Sequence, residues 1–312
     1  MNLTDYVEKL KSGDRRTLAR LISLVEDGSA ELPEIMRAIG TATSHAYTIG
    51  ITGSPGVGKS TLSAALVGAI RAKAQRVSVL AIDPSSPLTG GALLGDRLRM
   101  QEHATDPGVY IRSMATRGRL GGLAWAAPHA LRILDAAGTD FILVETVGVG
   151  QAEVEVARQA DTTIVVLAPG LGDSVQANKA GLLEVADIFV VNKADRQGAH
   201  EVRRDFEQML DLGEHKAWRP PVLLTQANDG TGAGEVLDAV DRHREHLESS
   251  GEIRMRRLDR ALDEIKEIAL GRVRQAMEQF DDSDLLRTLA EQVVEHNLEP
   301  YAAADKLLAQ IG

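Results

Sequence analysis

Cysteine is absent from all 312 residues, which excludes disulfides, thiolate metal sites and cysteine nucleophiles. Aromatic residues amount to only 3%, so a core must be built from Leu, Val, Ile and Ala. No apolar run approaches the ~20 residues that a membrane-spanning helix needs. The stretch Met1-Asn2-Leu3-Thr4-Asp5-Tyr6 lacks a basic start and an apolar core, so no secretory signal is expected and the default location is cytoplasmic. Positive charge is outweighed: 35 Lys and Arg face 45 Asp and Glu, a net charge of −10. That balance argues against broad binding to nucleic acid or to an anionic membrane. The remainder is ordinary for a globular chain, 44% hydrophobic and 26% charged, and long enough for one large α/β domain with appendages.

What is present is a phosphate-binding signature. Gly53-Ser54-Pro55-Gly56-Val57-Gly58-Lys59-Ser60 reads G-x-x-x-x-G-K-[ST]. Backbone N–H groups of such a loop cradle phosphates, and the glycines permit the close backbone approach this needs. Lys59 supplies a point charge, the Ser60 hydroxyl can ligate Mg²⁺, and the helix that starts near Lys59 and Thr61 aims its positive end at the same anion. The apolar run Tyr47–Thr52 precedes the loop, and Leu62, Ala65, Leu66, Ala69 and Ile70 follow at helical spacing. Strand, glycine loop and helix thus occur in the order the signature requires.

Along the chain, residues 3 to 44 read as two or three helices, with one apolar stripe at Leu18, Leu21, Ile22 and Val25 and another after Pro33 at Ile35, Met36 and Ile39. From 47 to about 228, strands alternate with helical patterns. The expected strands are 47–52, Val77–Asp83, Val109–Met114, Phe141–Val147, Thr162–Ala168, Ile188–Lys193 and Val222–Ala227. Several are unbroken Val/Ile/Leu runs, as in strands covered on both faces. The expected fold class is α/β, a mostly parallel central sheet flanked by helices, with ligands at the carboxyl ends of the strands. Beyond 232 the pattern is helical, with expected helices over 253–280, Ser283–Glu295 and Pro300–Ile311. The charged helix carrying Leu258, Leu262, Ile265 and Leu270 reads equally as a solvated face or an oligomerisation arm. The domain reading is an N-terminal helical extension over 1–45, a nucleotide-binding domain over 46–250 and a C-terminal helical arm over 251–312.

Asn192-Lys193-Ala194-Asp195 is N-K-x-D at a strand end. The Asp195 carboxylate can accept hydrogen bonds from N1–H and the N2 amino group of guanine, a donor pair that adenine lacks. The expected ligand is therefore GTP or GDP rather than ATP. Thr225-Gln226-Ala227, at the next strand end, could complete the base pocket through the Ala227 backbone. Asp83 and Glu145 end two strands, and Asp96 lies in Gly95-Asp96-Arg97. Together with Ser60 these hard oxygen donors make a sensible Mg²⁺ shell. Gly148 offers an N–H that could sense the γ-phosphate, and a loop held by that contact would relax after hydrolysis.

Most P-loop proteins place Asp where Glu145 stands in Glu145-Thr146-Val147-Gly148-Val149-Gly150-Gln151. In this the chain resembles the SIMIBI-class GTPases. Ile82-Asp83-Pro84-Ser85-Ser86-Pro87, then Leu94-Gly95-Asp96-Arg97-Leu98-Arg99-Met100, then Ser113-Met114-Ala115-Thr116-Arg117-Gly118 resemble the MeaB/MMAA branch, also called ArgK or LAO/AO transport ATPase. The likeness runs from about Leu18 into the C-terminal helices. It implies a GTP hydrolase acting as chaperone of an adenosylcobalamin-dependent acyl-CoA mutase, typically methylmalonyl-CoA mutase, gating cofactor loading and protecting the partner. It also implies a homodimer formed through helices outside the G domain. By this resemblance, switch segments fall at Asp83–Met100, Glu145–Val154 and Gly170–Lys179, the last including Asp173, Gln176 and Lys179. Two departures stand out: Val175-Gln176-Ala177-Asn178 carries less charge than that pattern, and Thr225-Gln226-Ala227 replaces Thr-Ser-Ala.

Catalysis is expected from Lys59, Glu145 and Asp83, with Lys59, Mg²⁺ and the loop amides stabilising developing phosphoryl charge and Glu145 orienting a metal-bound water or, as the alternative, the attacking water. Two alternatives compete. Nickel-insertion GTPases share the Glu-type core but resemble one another in His-rich or Cys-containing motifs. Here the eight His residues are scattered, and the one close pair, His243 and His246, reads as helix surface. A P-loop kinase would need an acceptor site and usually ATP, against which Asp195 argues.

Overall fold

The computed structural model describes residues 3–40, 46–83, 103, 105–115, 122–146, 159–170, 184–213, 217–278, 280 and 283–310, with backbone alone at 3–4, 83, 115, 122–125, 146 and 278. Within these lie seven strands: β1 (Tyr47–Thr52), β2 (Val77–Asp83), β3 (Val109–Ala115), β4 (Phe141–Thr146), β5 (Thr162–Leu167), β6 (Ile188–Asn192) and β7 (Val222–Thr225). They form one sheet in the order β3-β2-β4-β1-β5-β6-β7, and every pairing is parallel. All seven fall where the apolar runs place them. β1, β5 and β6 are buried along their whole length, as strands covered by helices on both faces are.

The helices divide by face, because successive strand residues point to opposite sides. Tyr47, Ile49, Ile51, Phe141, Leu143, Ile164, Val166, Ile188 and Val190 meet one helical layer. That layer is α4 (Lys59–Ala72), through Leu62, Leu66 and Ile70, and α7 (Ala233–Ser250), through Val236, Leu237 and Val240. On the opposite face, Leu80, Ile82, Ile142 and Val144 pack under α1 (Leu3–Lys11), α2 (Arg15–Asp27), α3 (Leu32–Ile39) and α5 (Gly122–Ala136). Val165, Leu167, Phe189 and Val191 meet α6 (Ala199–Leu212) there. The stripe Leu18, Leu21, Ile22 and Val25 is buried as its spacing predicts. Asp14 caps α2 by accepting the Thr17 N–H at 2.7 Å, a bond that satisfies one of the helix's orphan donors.

The chain divides into two compact units, Met1–Arg260 and Ala261–Gly312. The long helix α8 (Glu252–Glu278) runs through the boundary, and α9 (Asp284–Val294) and α10 (Pro300–Leu308) complete the second unit, in which Leu289 and Leu307 are buried. Within the first unit, the opening turns of α8 are fastened to the amino-terminal edge of the sheet. Arg256 makes a two-pronged ion pair with Asp187 at 2.8 and 2.9 Å. Arg257 and Arg260 both pair with Asp161, just before β5.

That edge also overturns one reading. His243 is not helix surface: it is fully buried. Its Nδ1 is 2.8 Å from Thr162 Oγ1, which is itself 2.7 Å from the Tyr47 hydroxyl. The Trp218 ring packs 4.7 Å from the imidazole. Burial pushes the His243 pKa down to about 4; Asp187 pulls the other way, and Arg256 and His246 reinforce the drop. The imidazole is therefore neutral at pH 7.

Candidate nucleotide site

The loop between β1 and α4 lies at the carboxyl end of the central strand, where β4 and β5 flank β1. This is where an open parallel sheet places its ligands. Two of its glycines are demanded by the fold. A Cβ on Gly53, at φ +139°, would stand 2.2 Å from the Val166 carbonyl oxygen of β5, and one on Gly58, at φ +98°, 2.3 Å from Asn192 Nδ2. Gly58 begins α4 in a left-handed conformation, and the amino end of a helix carries partial positive charge that suits an anion. Lys59 is buried, its ammonium folded over the loop at 2.7 Å from the Gly53 carbonyl and 3.2 Å from that of Ser54. Pro55, Gly56 and Val57 form the tip.

Asn192 and Lys193, at the end of β6, tie this loop to the next. Asn192 Nδ2 donates to the Val57 carbonyl at 2.9 Å, while Oδ1 accepts from Thr225 Oγ1 and the Ala227 N–H, both at 3.1 Å. Lys193 donates to the Gly56 carbonyl at 2.5 Å from a left-handed backbone at φ 58°, uncommon for a lysine and a sign of imposed geometry. Asp195 stands exposed beyond it, and Gln226, half-buried, ends a short bridge to Thr231. The Ala227 N–H is directed at Asn192.

Glu145, near the end of β4, sits beside Ile51 of β1 and Ala81 of β2. It is buried, 3% exposed. Ser60 donates to its Oε1 at 2.6 Å and Ser63 to its Oε2 at 2.9 Å. Ser63 escaped the motif: within a helical stretch it reads as one more small residue, and only its place one turn beyond Ser60 hints at a shared face. The structure thus brings together Lys59, Ser60, Glu145, Asn192, Lys193, Thr225 and Ala227. Asp83 closes β2 at the same carboxyl edge, but its side chain is outside the described residues. So are Asp96, Gly148, Asp173, Gln176 and Lys179, along with most of the three switch segments. Among the described residues, no group of three or more His, Asp or Glu is placed to hold a metal.

A glycine loop on the central strand of a seven-stranded parallel sheet, braced by an N-K-x-D turn and a strand-end glutamate, defines a P-loop GTPase of the SIMIBI class. The family model "Methylmalonyl Co-A mutase-associated GTPase MeaB" matches residues 18–282, and the chain belongs to this family. A Pyrococcus abyssi protein with a provisional GTPase name is 49% identical over 99% of this chain and 97% of its own. GTPase ArgK of Escherichia coli is 36% identical over 84% of this chain and 82% of its own. The crystal structure titled LAO/AO transport system kinase superposes with a TM-score of 0.72 at 27% identity, covering 100% of this chain and 99% of that one. The chain is thus a GTP hydrolase of the MeaB family, as its motifs imply.

Proposed function

We propose that this GTPase serves an adenosylcobalamin-dependent acyl-CoA mutase, with methylmalonyl-CoA mutase first choice, as a nucleotide-gated chaperone of cofactor loading. The observation that carries the reading is the match over 18–282 to a family described by its association with that mutase. The partner would read the nucleotide state through the segments around Asp83–Met100, Glu145–Val154 and Gly170–Lys179.

The site's own residues support a division of labour. Gly53–Thr61 cradle the phosphates, with Lys59 facing the β- and γ-phosphates and stabilising the charge that develops on the transferred group. Asn192 holds the P-loop and the Thr225–Ala227 loop in one arrangement, so Asp195 reads the guanine edge from a fixed platform. The donor set of Ser60 and Glu145, hard oxygens 2.6 Å apart, fits Mg²⁺, and Asp83 and Asp96 are assigned to the same shell. Bound there, Mg²⁺ would neutralise phosphate charge and orient the triphosphate. Glu145 and Asp83 would hold and align the waters around it, and Gly148 would meet the γ-phosphate.

The domain proposal is a helical extension over 1–45, a G domain over 46–250 and a helical arm over 251–312 that forms a homodimer. The test is capture of purified mutases of the acyl-CoA class by the immobilised full chain. Retention of methylmalonyl-CoA mutase that differs at least several-fold between GDP and a non-hydrolysable GTP analogue is the expected result. Equal or absent retention of every such mutase in both states would overturn the proposal, and ATP-dependent phosphorylation of a small acceptor without GTP turnover would favour a kinase.

A further inference from the structure

Glu145 accepts a hydroxyl that lies outside the P-loop pattern. Ser63 is fully buried and donates to Oε2 at 2.9 Å while Ser60 occupies Oε1 at 2.6 Å. Ser63 Oγ also lies 3.0 Å from the carbonyl of Lys59, the ordinary back-bond of a serine inside a helix. A hydroxyl has one proton to give, and the charged acceptor draws it more strongly than a peptide carbonyl. The carboxylate therefore bridges two hydroxyls one turn apart on α4.

We propose that Ser63 is a positioning residue for the cation site, an assignment that rests on the Mg²⁺ reading of Ser60 and Glu145 above. With Oε2 held by Ser63, the carboxylate keeps its orientation independently of Ser60, whose oxygen is the one the cation needs. Loss of the Ser63 hydroxyl removes a donor from one oxygen of a buried carboxylate, and the group is then freer to turn away from Ser60. The effect falls on metal dependence and spares the phosphate cradle, which Lys59 and the loop amides make without Ser63.

The experiment titrates Mg²⁺ into the GDP complex of the full chain and reads the half-saturating concentration from the affinity of a fluorescent GDP analogue. Ser63→Ala should raise that concentration about tenfold, the loss expected of one charge-assisted hydrogen bond. Ser63→Cys, similar in size but a poor donor, should follow the Ala variant, and Ser63→Thr should restore the Mg²⁺ response. Affinity for the analogue in EDTA should stay unchanged in all three, a readout independent of turnover. If Ala and Cys variants melt earlier yet keep the parental Mg²⁺ response, Ser63 is a packing residue and the proposal fails. Glu145→Gln separates the two layers: a shifted response in Glu145→Gln with none in Ser63→Ala or Ser63→Cys overturns the Ser63 assignment alone. No shift in Glu145→Gln overturns the cation reading beneath it.

Discussion

Asp195 stands exposed at the end of a turn that Asn192 and Lys193 hold rigidly, and that contrast sets what its substitution should do. Asn192 links three backbone or hydroxyl groups across two loops, so replacing it would disturb the P-loop as well as the base site. Asp195→Asn should leave that platform in place. It swaps a two-fold acceptor for a side chain with one acceptor and a mismatched donor facing guanine. Two charge-assisted bonds at ~1.5 kcal/mol each amount to on the order of 100-fold in the GTP-over-ATP preference. Competition binding of GTP, ATP and xanthosine triphosphate checks this: GTP should weaken, ATP should hold, and an unchanged preference would remove Asp195 from the base pocket.

At the scale of elements, the sheet has two working ends. The carboxyl end holds the loops of the nucleotide site. The amino end holds α8, through Arg256 on Asp187 and through Arg257 and Arg260 on Asp161. Burial alone would raise the Asp161 pKa, but Arg260, Arg257 and the Thr48 N–H outweigh it and hold the carboxyl below its usual range. A depressed carboxylate stabilises the fold above the unfolded pKa, and that stabilisation disappears as pH falls through the folded value. His243 acts at higher pH. Its folded pKa of about 4 lies below the ordinary 6.5, so the unfolded chain binds the extra proton first. Its contribution is fully present above pH 6.5 and is lost as pH falls toward 4, roughly 3 kcal/mol in all. Urea unfolding between pH 7.5 and 4 should show this decline. His243→Gln should start less stable at neutral pH but flatten the decline between 6.5 and 4, leaving only the more acidic carboxylate loss. A parental slope in the variant would assign the decline to another group.

At the scale of the whole molecule, α8 carries an exposed apolar seam. Met255, Leu258, Leu262 and Ile265 follow 3-4-3 spacing and are 57%, 49%, 46% and 64% exposed. That is the spacing of a helix-pairing stripe, and an exposed row of this kind asks for a partner. The homodimer proposed above would use it. Light scattering after size exclusion should give twice the 33.5 kDa chain mass. Leu258→Glu combined with Leu262→Glu should yield monomers that still bind GTP, because the seam is remote in sequence from every residue of the nucleotide site. A monomeric parent chain, or a dimer unmoved by the double change, would reject the seam as the interface.

Much of this was legible in residue order alone. The strands could be read because a strand covered on both faces is an unbroken apolar run, and the runs end where the polar loops begin. The P-loop, Asn192–Asp195 and Glu145 stand out in the sequence because phosphate and guanine sites call for particular residue types at short, local spacing. The last helix ends at Leu308 rather than at the expected Ile311, since helix ends fray and periodicity alone does not set them. The rest needed the third dimension. Ser63 gains its importance only from a glutamate 82 positions later. His243 and His246 share a helix and both pack against Trp218, yet His243 is fully buried against Thr162 of β5 while His246 stays partly exposed. Arg256, Arg257 and Arg260 look like a solvated charge run until Asp161 and Asp187 are seen at the sheet's edge. Sequence determined the elements and the ligand class, because both depend on local patterns. Tertiary structure alone decided which polar groups meet inside, because partners for buried charge come from chain segments far apart in sequence and only folding brings them within hydrogen-bond range.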